Sequence, residues 1–199
     1  MVIIILWFEV DIYICKYKNA NELKEAFSKL KNIRNKLIIL PFCDGTGYFL
    51  TRYYYKILNI CKQFSNSQNN NVLLCFYLKK SNIKFVNAIF ISKGDVNFLF
   101  GESFSNKNME ISFKGKNFLI LFYFDLYRKV NLIKKKIEET DFVLGIDDEE
   151  EAQFNEYIKN KFFSKIILIE KNIQLVFIKE KNILKKDENI IKLNIQNLT

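Results

Sequence analysis

Histidine is absent from this chain of 199 residues. Its absence excludes the Ser-His-Asp triad, the Cys-His pair and the usual histidine-containing zinc sites. Proline occurs once and glycine six times, so neither a collagen-like nor a proline-rich architecture is open to it. Long hydrophobic runs are also missing. The most apolar stretches, residues 1–8 and 118–124, stop at Glu9 and Asp125. They fall well short of the ~20 apolar residues a membrane-crossing helix needs, so no membrane is expected as a partner. The first residues show no basic segment and no small-residue cleavage site, so no secretory leader is read and a cytoplasmic location is expected. The four cysteines, Cys15, Cys43, Cys61 and Cys75, have no CxxC spacing and lie in or beside apolar segments. Buried, reduced thiols are the expectation, with no metal and no cofactor.

What the chain does have is core-forming material. Hydrophobic residues make up 49% and aromatics 16%, with 20 Phe and 10 Tyr, a composition that disordered chains lack. The length and the lack of any linker point to one domain over residues 1–199, able to bury roughly 70% of the surface its unfolded chain exposes. The net charge is +9, yet the lysines are spread throughout, often beside Asn and Ile. The densest cluster, Lys134, Lys135 and Lys136, is followed by Glu138 and Glu139, which reads as a solvated helix face. No zinc finger, helix-turn-helix spacing or RNP-like aromatic motif is present, so nucleic acid is not expected as a partner.

Strand-like and helix-like segments alternate. Residues 2–8 read as a buried strand. Asn19 with Glu22 three residues on is a capping-box-like start, and Leu23, Phe27 and Leu30 recur at helical spacing to about Arg34. Residues 37–40 form a short strand stopped by Pro41, followed after a Gly-containing loop by a helix over about 49–64. Residues 65–71 are polar and Asn-rich and read as a surface loop. Strands are expected at 72–78, 85–92 and 95–100, the last two joined through Lys93-Gly94. A second hairpin joins 110–113 to 117–124 through Lys114-Gly115-Lys116. A helix over 127–139, a strand at 142–146 and a helix over 148–162 follow. The end reads as three strands, at 165–170, 174–179 and 189–195. This order fits a single α/β domain, either an αββα sandwich or a doubly wound sheet.

Residues 37–48, LIILPFCDGTGY, resemble the nitrilase superfamily of carbon–nitrogen hydrolases, in which a strand runs into a Pro-Glu pair shortly followed by Thr-Gly-Tyr. Pro41, Thr46, Gly47 and Tyr48 stand at the matching spacing. Val86-Asn87-Ala88 and the hairpin at Gly94 resemble a second motif of that family. FLILFYFDL at 118–126 resembles the strand that ends in its nucleophile elbow, and the segments at 166–178 and 190–195 resemble its closing strands. The resemblance implies a shortened αββα sandwich, often paired into dimers, and the hydrolysis of amides or nitriles.

That chemistry needs a Glu to take a proton, a Cys to attack as thiolate and a Lys to hold positive charge against the developing oxyanion. The matching positions here carry Phe42 for the Glu and Tyr123 for the Cys, and counting from Gly94 brings the Lys position near Gly101. The segment 95–102 is short enough that the lysine reads as deleted or displaced. Cys43 is no substitute, because its side chain alternates away from that of Phe42 and Asp44 would raise its pKa. The acidic run Asp147, Asp148, Glu149, Glu150 and Glu151 reads as complementing a helix N-terminus rather than as a cation site. Asp125 reads as an elbow carboxylate bonding backbone. Among Tyr53, Tyr54 and Tyr55, one ring is expected in the core and the others are free to join an interface. The expected function is a catalytically inactive nitrilase-like homologue acting through protein contacts, as a homodimer or beside a homologous subunit. The alternative is an amide hydrolase or small-molecule binder with a rearranged pocket lined by Tyr48, Glu102, Asp125 and Tyr123.

Overall fold

The computed structural model describes residues 9–41, 51–80, 83–100, 110–122, 130–146, 166–169, 175–177, 183–187 and 189–196. In chain order the elements are β1 (Glu9–Cys15), α1 (Ala20–Lys29), β2 (Leu37–Leu40), α2 (Thr51–Gln68), β3 (Asn71–Lys80), β4 (Ile83–Ser92) and β5 (Asp95–Phe100). They continue with β6 (Glu110–Phe113), β7 (Lys116–Phe122), α3 (Val130–Glu139), β8 (Phe142–Ile146), β9 (Ile166–Ile169), β10 (Leu175–Phe177), β11 (Ile183–Asp187) and β12 (Ile190–Gln196). The strands form two sheets. One has seven strands in the order β11-β12-β1-β2-β3-β4-β5, and the other has five in the order β10-β9-β8-β7-β6.

The layering follows from side-chain alternation. Val10, Ile12 and Ile14 of β1, Leu37 and Ile39 of β2, Leu73 and Cys75 of β3 share one buried cluster with Ile111, Phe113, Phe118, Ile120, Leu144 and Ile167 of the smaller sheet. The residues between them, such as Ile38, Leu40, Val72 and Leu74, pack instead with Leu23, Phe27, Ile57, Cys61 and Phe64 of α1 and α2. The Phe27 and Phe64 rings stack at 4.0 Å between centroids and join the two helices. On the far side, Lys136 of α3 reaches Glu110 of β6 at 3.9 Å, and Glu110 alternates with the inward Ile111. Helix α3 therefore lies on the outer face of the smaller sheet, which completes the αββα sandwich.

Local chemistry accounts for the elements. The side-chain oxygen of Asn19 accepts from the N–H groups of Asn21 (2.9 Å) and Glu22 (3.1 Å), capping α1 as its spacing with Glu22 predicts. Both hairpins turn on a residue pair with positive φ, Lys93 at 51° with Gly94 at 83°, and Lys114 at 50° with Gly115 at 72°. That is the type I′ turn, whose twist matches the flanking strands. Parallel pairings β1–β2, β2–β3, β7–β8 and β8–β9 are joined by crossovers, three of them carrying α1, α2 and α3 among the described residues.

Three expectations from sequence are corrected. Among the described residues a strand not read from sequence, Glu9–Cys15, precedes α1, and the strand expected over residues 2–8 lies outside the described residues. Helix α1 ends at Lys29 rather than near Arg34, with Leu30 closing it through bonds to the carbonyls of Ala26 and Phe27. Residues 65–68 belong to α2 rather than to a surface loop, and Ser65 and Asn70 are fully buried. The close of the chain holds four strands rather than three, because Ile183–Asp187 forms a hairpin with β12. The helix expected over 148–162 lies outside the described residues.

Candidate functional site

Three strands deliver the positions singled out in sequence. In the larger sheet β2 is parallel to β1 and β3, and β5 is antiparallel to β4, which is antiparallel to β3. The C-terminal ends of β2, β3 and β5 therefore share one end of the sheet. Leu40 lies level with Leu74, and Phe100 lies level with Asn87, the partner of Phe76. At the other end, a cleft brings together Asn35 before β2, Asn71 at the start of β3, the β4–β5 turn and the β6–β7 turn. The N-terminal end of β7 thus sits beside the N-terminal ends of β2 and β3. The end of β7 at Phe122 then lies at the same end of the sandwich as Leu40 and Phe100.

Phe42 follows β2 by two residues, Gly101 follows β5 directly, and Tyr123 follows β7 directly. All three lie outside the described residues, as do Tyr48, Glu102, Asp125, Cys43 and the acidic run 147–151. What the structure brings together is the set of strand ends that precede them. Pro41, buried just past Leu40, has no N–H to continue the ladder, which ends β2 at that point.

The remaining cysteines fit the expected inert thiols. Cys15, Cys61 and Cys75 are buried and free. Burial pushes the Cys15 thiol up to about 12. Burial also raises Cys61, with a smaller contribution from Cys15, and burial alone raises Cys75. A raised thiol pKa leaves almost no thiolate near neutral pH, so none of the three has the form a nucleophile requires. Of the tyrosines, Tyr54 packs on the core beside Phe76, at 5.4 Å between ring centroids, and burial with Tyr55 beside it raises its phenol to about 12. Tyr55 is 60% exposed, and the Tyr53 side chain lies outside the described residues.

One polar cluster was not read from sequence. Asp11 lies on the helix side of β1 and is buried. Its carboxylate accepts from the Lys36 ammonium and from the Asn194 amide at 3.0 Å, and it lies 3.3 Å from the Lys192 Nζ. Burial alone would raise its pKa, but the Lys36 and Asn194 hydrogen bonds, the Lys36 charge and Lys192 outweigh that and hold it below 3.8. The register explains the meeting, since Asp11 lies opposite Asn194, and Ile12, one residue on, pairs with Leu37. No spacing in the sequence gives that away, because the partners come from residues 36 and 192–194.

The fold is similar to that of several carbon–nitrogen hydrolases and amidases of solved structure. A CN-hydrolase superfamily protein from Xanthomonas campestris, with an arsenic adduct in its active site, matches with a TM-score of 0.60 and 11% identity, over 94% of this chain and 91% of that one. A carbon–nitrogen hydrolase from Helicobacter pylori G27 matches at 0.56 and 10% identity, over 94% and 89%. An amidase from Nesterenkonia sp. matches at 0.59 and 10% identity, over 94% and 90%. No protein-family model and no curated protein matches the sequence. The likeness is one of fold, consistent with the motif resemblance of residues 37–48 and 118–126. Among the described residues no helix is long and apolar enough to cross a membrane.

Proposed function

We propose that this chain is a degenerate carbon–nitrogen hydrolase homologue that has lost amide and nitrile hydrolysis and acts through protein contacts, as a homodimer or beside a homologous subunit. One observation carries the reading. The strands that would deliver the base, the lysine and the nucleophile end together, and the sequence past them has Phe42, Gly101 and Tyr123. A phenyl ring and hydrogen have no proton to exchange, and a phenol is a far weaker nucleophile at neutral pH than a thiolate. Removing one member of such a constellation costs orders of magnitude in rate, and removing all of them removes the covalent route.

The test is ammonia release from simple aliphatic amides and nitriles by the purified chain, alongside its mass by light scattering. The expected outcome is release no faster than the buffer blank and a mass of at least two copies, or a copy bound to a homologous subunit. Turnover that is abolished by Glu102→Gln or Asp125→Asn would overturn the reading in favour of a hydrolase with a rearranged pocket. A monomer at micromolar concentration that binds no homologous subunit would remove the protein-contact part.

A further inference from the structure

The cleft at the end of the sandwich opposite those strand ends has the makings of a ligand site. Its volume is about 430 Å³, within the ~300–1,000 Å³ of small-molecule pockets. It is lined by Asn35, Asn69 and Asn71, by Ser92 and Lys93 at the β4–β5 turn, and by Ser112, Phe113 and Lys114 at the β6–β7 turn. The lining therefore draws on both sheets. Among the described residues that form it there are two lysines and no carboxylate.

The backbone at these lysines is informative. Both occupy the first central position of a type I′ turn, at φ of 51° and 50°, in the left-handed region. Asn, Asp or Gly is strongly preferred there, and a long side chain is not. The other two described residues other than glycine with positive φ are Asn35 at 55° and Asn69 at 52°, and these also line the cleft. Two hairpins from two different sheets thus each place a lysine where a smaller residue is favoured, and both border the same cavity. Strained positions of this kind gather at sites that bind.

The wall from the larger sheet is held by hydrogen bonds. The Asn69 amide donates to the Asn35 side-chain oxygen. Next to it, buried Asn70 accepts from the Lys36 N–H at 2.9 Å and donates to the Ile33 carbonyl at 3.1 Å. Buried Ser65 donates to the Asn70 carbonyl at 2.7 Å and accepts from the Gly94 N–H at 3.4 Å, which ties the β4–β5 turn to the α2–β3 junction. A rigid rim of this kind lowers the ordering cost of binding.

We propose that this cleft binds the phosphate monoester of a small polar molecule, its phosphate between Lys93 and Lys114 and its hydroxyls against the Asn and Ser side chains. Two lysines without a carboxylate suit a compact dianion, amides and hydroxyls suit a polyol, and the volume exceeds what a bare phosphate fills. The site lies some six strand residues, about 20 Å, from the end of the sandwich where β2 and β7 finish.

The test is thermal unfolding of the full chain with glucose 6-phosphate, inorganic phosphate or glucose, each against potassium chloride of equal ionic strength. Glucose 6-phosphate at about 10 mM is expected to raise the midpoint by about 3–5 °C, phosphate by less and glucose not at all. The double variant Lys93→Asn/Lys114→Asn is expected to unfold at the same or a slightly higher temperature without ligand, because Asn suits both turns, and to lose the ligand-dependent rise. An equal rise with phosphate alone would replace the monoester by the free ion and overturn the polyol part. No rise with either anion, or a rise that survives in the double variant, would overturn the site itself.

Discussion

The two faces of the seven-stranded sheet are built on opposite rules. The buried residues of the face toward the smaller sheet are apolar among the described residues, from Val10, Ile12 and Ile14 through Leu37 and Ile39 to Leu73. The face toward α1 and α2 carries Asp11 and Asn194 in the same strands, one residue out of phase. Ser65 and Asn70 lie at the junction that α2 makes with that face. A sheet packed on a sheet offers a buried polar group only other strands' side chains, whose backbone is already paired. A helical layer brings loops, helix ends and lysines long enough to reach in from solvent. The same strands thus hold the protein together on one side and tolerate charge on the other.

Ile39→Ala tests the dry face and is expected to have the largest effect, a loss of about 2–5 kcal/mol in urea unfolding, since both neighbouring strands and the opposite sheet restrain collapse of the cavity. A loss below that from Asp11→Asn would break the comparison. Asp11→Asn is expected to cost about 2 kcal/mol, less than a fully enclosed ion pair, because Lys36 and Lys192 keep 24% and 28% of their side chains exposed. The pH dependence sharpens this. The folded carboxyl lies below its ordinary 3.8, so its contribution is complete above that pH and is lost as pH falls through the lower folded value. The gap between wild type and Asp11→Asn should close in strongly acidic solution. Ser65→Ala is expected to cost about 1 kcal/mol, read in the same unfolding experiment. Lys135→Ala, which removes an exposed pair with Glu139 at 3.8 Å, should cost no more than about 0.5 kcal/mol.

Much of the architecture is legible in the sequence where one signal dominates. Residues 37–40 and 118–121 are unbroken apolar runs buried on both faces, and the Lys-Gly turns mark both hairpins. The missed strand Glu9–Cys15 is different. Its alternation is that of a half-polar strand, and Asp11 in its middle reads as solvent-facing until Lys36 and Asn194 are brought beside it. Ile183–Asp187 is missed for a related reason, since Lys185 and Lys186 interrupt it. Ser65 and Asn70 read as loop residues because local composition cannot show that their hydrogen bonds are made to segments some 5 to 37 positions away. Of the candidate site, the motif order around Pro41 and Asp125 is legible, and the strand ends agree with it. The cleft could have been noticed from the repeated Lys-Gly pair, but nothing in the spacing shows that two turns from separate sheets meet.

The pairing of β1 with β12 sets the order in which the protein can be completed. Seven residues of β1, from Glu9 to Cys15, find their antiparallel partners at Ile190 to Gln196. During synthesis β1 can pair with β2 early, yet its other edge stays open until the last strand has emerged. That open edge includes the half of the strand that holds Asp11 without its Asn194 and Lys192 partners. A growing chain thus carries an unfilled strand edge and an under-compensated carboxylate from the emergence of β1 until that of β12. Closing the sheet removes both at once. For this fold, the first strand is completed only by one about 180 positions further along the chain.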